Sequence, residues 1–109
     1  MTPEDFRRIA LSLPGALESA HMNHPDFRVN GKIFATLSYP NEGWAMVKLP
    51  PDQQDAFIQL QPKAFAPVKG AWGKQGATSV NLKAVKEEAM LGALTIAWQA
   101  TSQKKTKKK

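Results

Sequence analysis

The 109-residue chain has no cysteine, which excludes disulfide scaffolds, thiolate metal clusters and thiol nucleophiles, and makes the cytoplasm the expected compartment. No apolar run approaches the ~20 residues of a membrane span. Glu4 and Asp5 stand near the start, and no long apolar signal core or cleavage box follows, so neither export nor membrane insertion is expected. Acids are missing altogether between Asp55 and Glu87, a stretch that holds Lys63, Lys69, Lys74, Lys83 and Lys86. Walker and dinucleotide fingerprints, a nucleophile elbow and a facing pair of carboxylates are absent as well, so no catalytic residue is assigned, no cofactor is expected, and the chain is not expected to be an enzyme.

What is present suits one modest core. The length and the 42% share of hydrophobic residues support a single domain, placed at residues 1–100, followed by a lysine-rich tail at 101–109 that has nothing apolar to bury and is expected to be disordered. The formal charge is +6, but five of the 15 basic residues are Lys104, Lys105, Lys107, Lys108 and Lys109. Ten basic groups then face nine acids in the body, so the excess sits in the tail and in the acid-free segment. Such runs attract phosphates without reading sequence.

Thr2 as N-cap, Pro3 at the first helical position, and Glu4 and Asp5 in the first turn predict a helix whose inner face is Phe6, Ile9, Ala10 and Leu13. Pro14-Gly15 ends it. A strand near Leu17–Ala20 and a turn at Asn23-His24-Pro25 follow. The strongest local signal is Asn30-Gly31 between two strand-like runs, which predicts a type I′ β-hairpin. A turn at Pro40-Asn41-Glu42-Gly43 leads into a strand over Trp44–Leu49, and a helix is expected at Asp52–Leu60 with Phe57, Ile58 and Leu60 inward. Short strands at Phe65–Val68 and Thr78–Leu82 flank a glycine-punctuated loop, and the last helix is placed at Ala84–Ala100 with a Leu91, Leu94, Trp98 stripe. The fold class is α+β: an antiparallel sheet with helices packed on one face.

The two-residue turn pairs Val29 with Lys32, Arg28 with Ile33, and Phe27 with Phe34. In that register Ile33, Ala35, Leu37, Ala45, Val47 and Leu49 share an aliphatic face. The other face carries Phe27, Val29, Lys32, Phe34, Trp44, Met46 and Lys48. Arg28 then lands on the aliphatic side, which requires either a bulge or an edge position. Aromatic rings interleaved with lysines on an open sheet suit nucleic acid, since bases stack and phosphates pair with ammonium groups.

The pair His21 and His24 offers two imidazoles with only Asp26 nearby, too few ligands for a structural metal, and none is expected. Gly73-Lys74-Gln75-Gly76 is a GxxG tetrapeptide whose strand-like flanks favour a plain hairpin turn over a phosphate-clamping loop.

Three stretches resemble the MmcQ/YjbR family. They are Thr2-Pro3-Glu4-Asp5-Phe6 with Leu11-Ser12-Leu13-Pro14-Gly15; His24-Pro25-Asp26-Phe27-Arg28-Val29 with Gly31-Lys32-Ile33-Phe34-Ala35; and Ala71-Trp72-Gly73-Lys74-Gln75-Gly76. The resemblance implies a frataxin-like, "double wing" sandwich and DNA binding. It places basic and aromatic positions at Arg28, Lys32, Lys48, Trp72 and Lys74. Ala77 stands where the family often has an aromatic, and frataxin's metal role does not carry over, because the first helix offers only Glu4 and Asp5 against Arg7 and Arg8. The expected function is DNA or other nucleic-acid binding, with Lys32, Lys48 and Lys74 on phosphates and Trp44 and Trp72 as stacking surfaces; the sequence sets no oligomeric state, and a monomer is the default. Two alternatives stay open: a protein-interaction surface formed by Phe27, Phe34 and Trp44, and a small-ligand pocket lined by Trp98.

Overall fold

A computed structural model describes residues 1–39 and 41–102; Pro40 and the lysine-rich tail from 103 onward, where the disordered segment was expected, lie outside the described residues. Helix α1 spans Pro3–Ser12 and is started by a reciprocal cap. Asp5 N–H donates to Thr2 Oγ1 and Thr2 N–H donates to Asp5 Oδ2, both at 3.1 Å, which satisfies two donors that a helix start would otherwise leave unmade. Phe6, Ile9 and Ala10 form its buried face.

Strands β1 (Leu17–His21) and β2 (His24–Val29) form a hairpin that the sequence conceals. Its turn is Met22-Asn23, with φ of +50° and +69°. Both values lie in the left-handed region, which asparagine tolerates and methionine seldom enters, so the turn carries no obvious signature. The turn expected at Asn23-His24-Pro25 thus starts one residue earlier, at Met22, and ends at Asn23, with His24 and Pro25 already in β2. The next turn, Asn30-Gly31, has φ of +54° and +78° and joins β2 to β3 (Lys32–Leu37) as the sequence predicts.

The register of that hairpin starts as expected, with Val29 opposite Lys32 and Arg28 opposite Ile33, and then slips: Phe27 pairs with Ala35. Phe34 is the extra residue of a β-bulge. One inserted residue reverses the phase of a strand. Arg28 therefore leaves the aliphatic face, and Phe27 joins it.

The chain continues through β4 (Trp44–Lys48), α2 (Pro51–Leu60), β5 (Phe65–Pro67), the short helix α3 (Ala71–Lys74), β6 (Ala77–Asn81) and α4 (Glu87–Ser102). The six strands form one antiparallel sheet in the order β1-β2-β3-β4-β6-β5. Helix α4 lies across β2, β3 and β4 and touches α1, while α2 packs on β5 through a Phe57–Phe65 ring contact at 5.3 Å. The inward face of α4 is Met90, Ala93, Leu94 and Ala97; Leu91, expected in the stripe, is 48% exposed. Leu60 is also outward, leaving Phe57 and Ile58 as the half-buried residues of α2.

The core lies between these helices and one sheet face. It contains Phe27, Val29, Phe34, Ala35, Leu37, Ala45, Val47 and Val80, and the Phe6 and Phe27 rings meet at 5.8 Å. Phe27 and Phe34 are fully buried. The aromatic patch read onto the opposite face is corrected accordingly: the bulge at Phe34 turns these rings inward, and a docking surface built on Phe27 and Phe34 is not available. Trp98 is spoken for as well, because its Nε1–H donates to Pro14 O at 2.8 Å and its ring packs against the core.

Candidate functional site

The second sheet face is not covered by α1, α2 or α4, and strand alternation assigns its residues. From β2 come His24, Asp26 and Arg28, from β3 Thr36 and also Ile33, which was expected on the aliphatic face but pairs with Arg28, from β4 Trp44, Met46 and Lys48, and from β6 Ser79. At the β2 side, Asp26 is fully buried. It accepts from Arg28 Nε at 2.8 Å and from Arg28 Nη2 at 3.2 Å, and His21 Nδ1 lies 2.7 Å from its Oδ2. The Arg28 bonds hold the carboxyl below the usual carboxylate range against the opposing effect of burial, and His21 adds to them. Reciprocally, Asp26 raises the Arg28 guanidinium above its ordinary value. In this arrangement His21 orients toward Asp26, the His21 and His24 rings stand 6.3 Å apart, and no group of three or more potential ligands occurs among the described residues.

An arch of rings crosses the same face diagonally. His24 meets Tyr39 edge-on at 5.6 Å, Tyr39 meets Trp72 edge-on at 5.9 Å, and Lys48 Nζ sits 5.8 Å from the Trp72 ring centroid, within cation–π range. On the central strands of this face, Thr36 and Met46 are each only 1% exposed.

The loop that carries Trp72 is braced by contacts that explain its glycines. A Cβ on Gly73 would lie 1.7 Å from Val68 O, and one on Gly76, whose φ is +113°, would lie 1.7 Å from Leu49 O. The buried Gln54 of α2 donates from Nε2 to Gly73 O at 3.0 Å and to Ala77 O at 3.1 Å. Close backbone packing thus accounts for the GxxG spacing. Its consequence is a Trp72 ring that is 40% exposed yet fixed in place. The segment expected as a plain hairpin turn is a one-turn helix between antiparallel strands.

Of the five residues expected to bind, Lys48 and Trp72 are in contact, Trp44 lies on the same face and is half-buried, and Lys74 is exposed two residues beyond Trp72. Lys32 is elsewhere. It pairs with Val29, a core residue, so it belongs to the helix-covered side at the hairpin tip, where Asn30 Nδ2 donates to Ser102 O at 3.1 Å. The phase shift at Phe34 is again the cause. Tyr39, Thr36 and His24 were missed, because their juxtaposition depends on an irregular segment after β3.

Charge is divided along the sheet. At the β1 end Arg7 bonds Glu4 at 2.7 Å and Glu18 at 2.9 Å, and Arg8 bonds Asp5 at 3.1 Å, so acids and bases cancel. The acid-free segment builds β5, α3 and β6 at the other end, and its five lysines are exposed. A shallow depression of about 460 Å³ there is lined by Leu60, Gln61, Pro62, Lys63, Ala64, Ala84 and Lys86.

With this geometry, comparison with known proteins gives a consistent result. The YjbR family model matches residues 11–100, well over half of the chain. The chain belongs to the YjbR family. Its fold is similar to the crystal structure of Deinococcus radiodurans protein DR2400, which carries a DUF419 domain, with a TM-score of 0.80, 98% of this chain and 83% of that chain covered, and 21% identity. That likeness concerns the fold alone. Curated proteins yield no match. Among the described residues of this YjbR domain, no helix is long and apolar enough to cross a membrane.

Proposed function

We propose that this YjbR domain binds nucleic acid through the second sheet face and its β5–β6 end, and does no chemistry on it. The reading is carried by one observation: Trp72 is 40% exposed, is held by Tyr39 and Lys48, and stands in the middle of a segment with five exposed lysines and no acid. A fixed ring beside ammonium groups offers a base a surface to stack on and a phosphate a counter-charge. Lys74 and Lys48 contact phosphates, Trp72 stacks, and Trp44 supplies a half-buried flank.

The tail must be separated from the body. Binding of a labelled oligonucleotide is titrated across salt for the full chain and for a full-length variant with Lys104, Lys105, Lys107, Lys108 and Lys109 all changed to Gln. Five tail contacts contribute up to about 4.5 to the log–log salt slope, at about 0.9 per phosphate. The variant is expected to retain binding with a residual slope of about 1.8, the worth of the Lys48 and Lys74 contacts. Complete loss of affinity with the tail charges would mean that the folded body is not the binder.

A further inference from the structure

Thr36 is 1% exposed, and its Oγ1 has no hydrogen-bond partner among the described residues; the same holds for the buried Nδ1 of His24. A buried polar atom without a partner opposes folding, and natural sequences usually avoid or satisfy it. Two such atoms occur here on neighbouring strands of one face. Thr36 lies opposite Asp26, and His24 is two residues before Asp26 on the same strand. Both belong to the ground crossed by the Tyr39–Trp72 pair, one ring of which touches His24 and the other Lys48. Tyr39 follows Ser38, whose φ of +59° is strained for a serine. Trp72 stands on a one-turn helix between Gly70 and Gly76, both at positive φ. The two rings therefore close the site from separate, locally irregular segments.

We infer that Tyr39 and Trp72 close over a base-recognition subsite, and that their edge-on contact at 5.9 Å parts to admit an unstacked base of single-stranded nucleic acid. Its polar edge takes the hydrogen bonds that Thr36 Oγ1 and His24 Nδ1 lack. The inference rests on the nucleic-acid reading above and deepens it, since a base can reach Thr36 only when it is free of a duplex stack. A nucleotide fits the chemistry of the place. It has a planar heterocycle to lie against rings, donors and acceptors on one edge for a hydroxyl and an imidazole, and a phosphate for Lys48 and Lys74 at the rim.

Thr36→Val in the full-length chain tests this, because it keeps the shape and removes the hydroxyl. Affinities are measured for oligo-dA, oligo-dC and oligo-dT of equal length and for a duplex. The native chain is expected to prefer single strands and to rank the three homopolymers. Thr36→Val should melt at the same temperature or higher, yet lose about fivefold in affinity for the preferred strand, the worth of one hydrogen bond. Independently of folding of the variant, the imidazole ¹⁵N resonances of His24 in the native chain should shift when that strand is added. Equal binding of all strands and the duplex, a Thr36→Val chain that binds like the native one, or an unmoved His24 signal would overturn the subsite and leave the proposed function standing. Absence of binding to every probe would bring down both.

Discussion

Asp26 shows how one residue can fix a polar strand. Its carboxylate is fully buried and is tolerated there because Arg28 and His21 supply three close nitrogen contacts. Asp26→Asn keeps the size and removes the charge, leaving the Arg28 guanidinium to find water. It should lower the unfolding free energy by about 1–3 kcal/mol, read from urea denaturation at neutral pH. The pH dependence has a definite sign. The folded-state carboxyl is held below its ordinary value of 3.8, so its contribution is complete above that pH and fades as the pH falls from about 4 toward the lower folded value. The native chain should therefore lose stability over that acid window more steeply than Asp26→Asn. Parallel curves would show that the ion pair contributes nothing. The alternation of His24, Asp26 and Arg28 was open to reading as one strand face, but His21 joins them only through the Met22-Asn23 turn. Met22 carries no preference for that turn, so the cluster was hidden.

At the scale of elements, strong local chemistry was legible and tertiary irregularity was not. The Thr2 cap and the Asn30-Gly31 turn follow from short-range hydrogen bonding and backbone sterics, which a sequence carries openly. The bulge at Phe34 arises from how the sheet meets the helices, and it moved Phe27, Phe34 and Lys32 to sides opposite those expected. The Trp72 loop behaves likewise: its glycines are required by the Val68 and Leu49 carbonyls, neither of which is a sequence neighbour of the residue it constrains. Gly73→Ala forces a Cβ against Val68 O and disturbs the Gln54 brace. Overpacking of this kind costs about 1–3 kcal/mol. The larger effect should be local: Trp72 released from Tyr39 and Lys48, seen as altered tryptophan emission, and weaker oligonucleotide binding at a temperature where circular dichroism still reports a folded sheet. If binding is retained while the emission changes, the fixed orientation of Trp72 is irrelevant to affinity.

For the molecule as a whole, the decisive property is that its net charge is not spread evenly. Acids at the β1 end are occupied by Arg7, Arg8 and Arg28, whereas the segment from residue 56 to 86, which builds β5, α3 and β6, holds five exposed lysines and no acid. A polyanion is therefore drawn toward Trp72 and away from β1. Lys32 separates this view from a diffuse attraction to any positive residue, because it is exposed but lies on the helix-covered side at the hairpin tip. In the chain with the tail lysines neutralised, Lys74→Ala should lower the salt slope by about 0.7–0.9, one phosphate's worth, while Lys32→Ala should leave it unchanged. The reverse result would move the binding surface to the hairpin tip beside Ser102, where Asn30 ties β2 to the end of α4, and would remove the second sheet face from the function altogether.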